Sequence, residues 1–247
     1  MSRYGLLAGV LAAQGLMLIS GLPARAQGAM LVPVSAFAQP PSSAPLPDSA
    51  ARFRVTWRPR QGPAQVQQWQ LNRLAQQIGW IKGPGTEEIW RRDASGIRLA
   101  RVLRGHQHVI DYSAGELRAL NVALDWAELA SLFPESGLPL LKAATHRRPG
   151  LPQPFHGRID GEQVDLLWDP VARLPVRLAR SGPRGQVLFE RTAWHATAPA
   201  DWPQAGAGTD HYQRLDAADF GDMPYHPVVR QAQAHDQRAG WRKVHAD

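Results

Sequence analysis

Cysteine is absent from the 247 residues, which excludes disulfides, thiolate nucleophiles, thiolate metal sites and a lipid-bearing N-terminal cysteine. Catalytic signatures are missing as well. No Gly-x-Ser-x-Gly elbow occurs, and the nearest serines, Ser95 and Ser113, fall in turn sequences. Asp219-Phe220-Gly221 repeats the letters of a kinase magnesium motif without the glycine-rich loop, strand lysine or catalytic loop that give it meaning. His106 and His108 form a His-x-His pair that would share one face of a continuous strand, as metal ligands do. The turn sequence Arg104-Gly105-His106-Gln107 interrupts such a strand, and no third ligand is evident. Glu162 and Asp165 fall on opposite faces of one strand, so they make a poor acid/base pair. No enzyme, no metal and no cofactor is therefore expected.

Lysine is scarce: Lys82, Lys142 and Lys243 stand among 28 basic residues, the rest being arginine. The formal net charge is +7. The N-terminus reads as an export signal: Arg3, an apolar run from Tyr4 to Leu22, then Ala24-Arg25-Ala26 with the small-x-small pattern of a cleavage site. A membrane anchor is the competing reading, weakened by Gly9, Gln14, Gly15, Ser20 and Gly21. Cleavage after Ala26 would remove Arg3 and Arg25 and no acid, taking the charge from +7 to +5. A periplasmic location follows, with membrane contact peripheral at most. Nucleic acid is then not an expected partner. Anionic head groups, lipopolysaccharide or an acidic protein suit the charge, as does a plain arginine-rich surface.

Pro, Ala and Ser dominate residues 27–50, which read as a disordered linker. Residues 51–199 follow as the folded domain, and 200–247 as a C-terminal extension. With 21 prolines and 22 glycines, short elements and many turns are expected. The clearest stretch runs from Glu162 to His195. Val164, Leu166 and Trp168 alternate with Asp165 and Leu167; Asp169-Pro170 turns the chain; Val176 and Leu178 share a face in a second strand; Ser181 to Gly185 turns again; Gln186 to His195 makes a third. Such short spacing demands antiparallel hairpins. Upstream, Phe53, Val55 and Trp57 alternate with arginines; Val66–Leu74 reads as strand or helix, with Trp69, Leu71 and Arg73 alternating in the preferred strand and Val66, Trp69 and Arg73 sharing a face in a helix; Ile78–Lys82 is a short apolar segment ended by Gly83-Pro84-Gly85; and strands are expected over Glu87–Arg92, Ile97–Leu103 and His108–Tyr112. Gly115–Leu120 suggests a turn of helix. Asp125 with Glu128 has the spacing of a capping box ahead of Trp126, Leu129, Leu132 and Phe133. Leu138–Pro154 reads as a long loop or flap. Pro227–Val244 reads as a terminal helix whose apolar face is too poor for a core position, suiting it to loose packing or docking. Phe220 and Tyr225 are expected to tack the tail onto the domain. The fold class expected is α+β, mainly antiparallel, a curved half-open barrel sheet with a few helices on one face.

The phrase Val164-Asp165-Leu166-Leu167-Trp168-Asp169-Pro170 followed by Leu174-Pro175-Val176-Arg177-Leu178 resembles the W-D-P…L-P-x-R-L hairpin of the periplasmic lipoprotein-carrier (LolA/LolB-like) family. That family includes the sensor domain of a sigma-factor regulator. The resemblance covers about Arg52 to Ala198 and implies an unclosed barrel whose helices plug an acyl-chain cavity. The tail from Asp201 has no counterpart in the carriers and resembles exported proteobacterial proteins.

The tryptophans have two readings, which overlap: filler between sheet and helix, or lining of an apolar cup. The expected ligand-binding residues are Trp57, Trp69, Trp90, Trp168 and Phe189. The function expected is a non-enzymatic periplasmic protein that holds an acyl chain, a lipoprotein or another envelope component. The alternative is an envelope sensor or accessory subunit that docks an acidic protein through its basic surface and C-terminal helix.

Overall fold

In a computed structural model, residues 46–83, 85–122, 125–143, 150–239 and Trp241 are described. The expected signal, its cleavage site and nearly all of the linker lie outside these residues. Two antiparallel meanders are joined edge to edge. The first comprises β1 (Ser49–Pro59), β2 (Gln65–Leu74), β3 (Gln77–Lys82), β4 (Thr86–Asp93), β5 (Gly96–Leu103) and β6 (His108–Tyr112). The second comprises β7 (Lys142–Ala143), β8 (Gln153–Ile159), β9 (Glu162–Asp169), β10 (Leu174–Gly182) and β11 (Gly185–His195). β1 pairs with β11, and β12 (Gln213–Asp216) adds to β6, giving one sheet of order β12-β6-β5-β4-β3-β2-β1-β11-β10-β9-β8-β7. This is the expected α+β half-open barrel. Its one parallel pair is β12 on β6.

Alternation places the apolar stripe of each strand on one face. Phe53 opposes Trp69, Leu71 opposes Trp80, and Ile78 opposes Trp90 across successive pairs. Leu166 continues the row through Leu178 to Phe189. These side chains all belong to one buried cluster. A bulge between Pro175 and Arg177 shifts the register in β10, so Leu178 stays in the core while Val176 is only half-buried. At the tip of the β10–β11 hairpin Gly185 has φ +133°, and a Cβ there would lie 2.3 Å from the Arg58 carbonyl oxygen; no other residue fits.

Short helices cover the concave face. α1 (Ala114–Ala119) carries the full capping box, Ser113 accepting from the Glu116 amide while Glu116 accepts from that of Ser113. α2 (Trp126–Ser131) is capped by Asp125 alone; the expected reciprocal partner, Glu128, points into the protein instead. Helix α2 stops at Leu132, which adopts φ +64°. The expected flap begins in a 3-10 turn over Glu135–Leu140 and continues as β7 against β8; residues 144–149 lie outside the described residues.

The tail crosses the convex face and returns through the core. Trp202 stacks under the Arg52 guanidinium at 4.0 Å, Gln70 donates to the Pro203 carbonyl at 2.6 Å, and the Gly206 amide donates to Glu87 at 2.6 Å. Gly206 suits that position because its φ of +80° lies in the left-handed region that favours glycine. Ala205 and Tyr212 cover a second small cluster of Ile89, Ala100, Val102 and Val109. Beyond β12, a 3-10 turn (Ala217–Gly221) leads to α3 (Pro227–Arg238). This helix is not loosely packed. Val229, Ala232 and Asp236 are fully buried, because Asp236 meets Arg101 of β5 at 2.7 Å. Phe220 anchors the tail as expected, whereas Tyr225 is 87% exposed and anchors nothing in the core.

Candidate functional site

The concave face is the candidate site. Trp69 meets Trp80 edge-on at 5.9 Å and Phe189 at 5.5 Å, and Phe53 lies 6.3 Å from Trp80. Of the five expected lining residues, Trp69, Trp90, Trp168 and Phe189 are at most 3% exposed and share the one core cluster. Trp57 is half-buried near the open end of β1 and does not join them. Trp69 packs between Phe189 and Trp80, whereas Trp90 contacts Trp241 of the tail at 5.9 Å. Trp80, not among the expected lining residues, links the sheet to the cover. Its indole N–H donates to the Leu129 carbonyl of α2 at 2.9 Å.

Polar anchors join the buried side chains Leu129, Ala130, Leu132 and Phe133 in fastening this cover. Arg73 lies on the core stripe of β2 and is 1% exposed. Its guanidinium donates to the carbonyls of Pro47 (2.7 Å), Ala130 (3.1 Å), Ala172 (2.7 Å) and Arg173 (3.3 Å), and to Ser49 Oγ (3.1 Å). One cation thus ties α2, the β9–β10 turn and the segment before β1. Burial, with the nearby Arg173, pulls its pKa down to about 10. Arg173 is itself held by Glu135 at 2.6 and 2.8 Å. Glu128 on α2 is 4% exposed and makes no side-chain hydrogen bond among the described residues. Burial pushes its carboxyl up to about 7 despite the opposing pull of Arg180.

Under the tail, charges run in a row across the core face. Lys82 donates to Glu88 at 2.7 Å, Glu88 also accepts from the Trp90 indole at 3.1 Å, Arg101 Nη2 lies 3.9 Å from Glu88, and Arg101 Nη1 meets Asp236 at 2.7 Å. The Tyr112 hydroxyl closes the group, accepting from Arg101 at 2.9 Å and donating to Asp236 at 3.1 Å.

Elsewhere, a cavity of about 310 Å³ opens on the convex face, floored by Ile89 and Ala100 and rimmed by Arg91, Arg98, Asp111 and Asp216. His106 and His108 do not converge as ligands: His106 lies in a 3-10 turn, and His108 Nδ1 is spent on the His106 carbonyl at 2.6 Å. Among the described residues no group of three or more His, Asp or Glu side chains is placed to hold a cation. Nor is any helix among them long and apolar enough to cross a membrane.

No family model matches the chain, and no curated protein matches it in sequence. Solved structures do. The structure of MucB matches at 15% identity over 66% of this chain and 58% of its own length, TM-score 0.35. A LolA superfamily protein from Nitrosomonas europaea matches at 7% identity over 64% of this chain and 90% of its own, TM-score 0.29. A putative outer membrane lipoprotein-sorting protein domain from Vibrio parahaemolyticus matches at 11% identity over 75% of this chain and 92% of its own, TM-score 0.31. The chain thus spans less than two thirds of the length of MucB. At such identities and scores these matches carry no argument about this chain.

Proposed function

We propose that this protein is a non-enzymatic binding protein of the periplasm whose concave aromatic face receives an acyl chain, either free or carried by a lipoprotein. The observation that carries the reading is the construction of the cover. A single curved sheet has its aromatic stripe covered by short helical pieces fastened through Arg73 and the Trp80 indole, with no second sheet locked against it among the described residues. Such a cover can be exchanged for a ligand.

Magnitudes favour the exchange. Burying roughly ten methylenes contributes about 8 kcal/mol at about 0.8 kcal/mol each. Lifting Leu129, Leu132 and Phe133 of the α2 segment loses about 5–9 kcal/mol at about 1.5–3 kcal/mol per side chain. The two nearly cancel, as a reversible carrier requires. Trp69, Trp168 and Phe189 would line the chain once α2 lifts. The docking alternative draws less support, because α3 buries the face it would need to present.

The test is native mass spectrometry of the full chain purified from its own envelope fraction, with an acyl-chain fluorophore titrated into delipidated protein. Acyl-bearing adducts are expected, and so is saturable probe binding that weakens in Trp69→Ala. Arg73→Met, which frees α2, should strengthen probe binding. Absence of adducts together with no probe binding, in wild type and Arg73→Met alike, removes the receptacle reading.

A further inference from the structure

Asp236 comes from the last helix, yet it completes a charge row laid down by β3, β4 and β5. Lys82, Glu88, Arg101 and Asp236 sum to zero; without Asp236 the row carries one uncompensated positive charge in the core. Glu88 cannot make up the difference, since it is already engaged by Lys82 and by the Trp90 indole. Arg101 is 1% exposed, so that charge would be costly to leave unpaired.

Asp236 does not use the guanidinium fully. The pair forms through Nη1, while Arg101 Nε is fully buried with no acceptor among the described residues. Side-on pairing with a carboxylate needs Nε together with an Nη, and it is the stronger geometry. Around this point the tail supplies apolar volume. Val228, Val229 and Ala232 belong to the core cluster, and Trp241 packs on Trp90, on Tyr112 and on the guanidinium itself. The tail therefore presents to the sheet a carboxylate beside an apolar body.

We infer that Arg101 and Tyr112 form the head-group site for a long-chain carboxylate, and that α3 with Asp236 is the resident occupant such a ligand displaces. The inference rests on reading the concave face as an acyl receptacle and names the amphiphile's chemistry. The ligand carboxylate takes Arg101 through Nε and an Nη and accepts from Tyr112, and its alkyl chain fills the space left by Val228, Val229, Ala232 and Trp241.

Palmitate and hexadecanol share a chain and differ at the head, so they test this on the delipidated full chain. Calorimetric titration should show palmitate binding at least about tenfold tighter than hexadecanol, a difference of about 1.4 kcal/mol. Hydrogen exchange over residues 227–238 should accelerate on adding palmitate. Arg101→Gln should abolish the preference. The double variant Arg101→Met/Asp236→Leu removes both charges together and keeps the core apolar, so it decides the matter if the single variant unfolds; it should bind both amphiphiles alike. Equal binding by wild type, unchanged exchange in α3, or a preference that persists in the double variant overturns the head-group site while leaving the receptacle standing. If neither amphiphile binds, the receptacle falls and this site with it.

Discussion

Glu128 is a carboxyl held inside the fold without a side-chain hydrogen bond among the described residues. Its pKa rises from 4.5 to about 7, chiefly through burial. Below pH 4.5 the folded and unfolded chains both carry the proton, and the group has no effect on stability. Between 4.5 and about 7 the unfolded chain releases the proton and the folded chain does not, so stability falls as pH rises; above about 7 the loss is complete. Glu128→Gln removes this dependence. Urea unfolding should show the variant more stable than wild type by up to about 3 kcal/mol at pH 8, taking roughly 1.4 kcal/mol per unit, and little changed at pH 4. An equal effect at both pH values would mean that Glu128 is not the group responsible. Glu88 shows the opposite behaviour a short distance away. Burial raises its pKa, but Lys82 and Arg101 more than compensate and hold it below the ordinary range. Two buried glutamates therefore pull stability in opposite directions with pH, and only the one on the cover weakens it near neutrality.

Elements whose partners are close in sequence were legible, and those whose partners are distant were not. Strands β4, β5, β9, β10 and β11 announce themselves by period-two alternation broken by turn residues, because each hairpin partner lies a few residues away. Arg73 could be placed on the same face as Trp69 and Leu71, but its burial could not be read, since its acceptors are backbone carbonyls as far away as Arg173. The α3 helix looked unfit for the core because its apolar face is sparse; the arginine that lets Asp236 be buried there stands 135 residues earlier. Strand β12 is four residues long, parallel to β6 and without an apolar stripe, so no pattern marks it. The strap ahead of β12 likewise hides its role. Its anchor, Trp202, is 7% exposed beneath the Arg52 guanidinium and beside His195 at 5.2 Å. Trp202→Ala should destabilise the protein by about 3 kcal/mol, typical of a buried aromatic truncation. The effect should be local first: hydrogen exchange should rise across residues 200–212 while the β8–β10 amides stay protected. Uniform acceleration over the whole sheet would instead make the strap part of the global folding unit.

At the scale of the whole molecule the decisive contact is the seam between β1 and β11. Each meander is built from local hairpins, but the two halves join along the β1–β11 pairing, where Val55 faces Phe189 and Arg58 donates to Gln186, 128 residues away. The same seam carries the apolar row from Trp69 to Phe189, so the aromatic face exists as one surface only when the halves are joined. Closing so long a loop is entropically expensive and slow, yet Arg73 of the first meander ties α2 and the β9–β10 turn of the second together. Folding should therefore be cooperative across the seam. Guanidinium unfolding followed by tryptophan fluorescence and by far-ultraviolet circular dichroism should give one coincident transition. Val55→Ala, which thins the seam without touching the cover, should lower the midpoint in both signals together, by the equivalent of about 1–3 kcal/mol for a buried side chain made smaller. Two separated transitions, with only one moved by Val55→Ala, would show that the meanders fold independently. The concave face would then be an interface between two units that can part along the seam, and a ligand could enter there without lifting α2 at all.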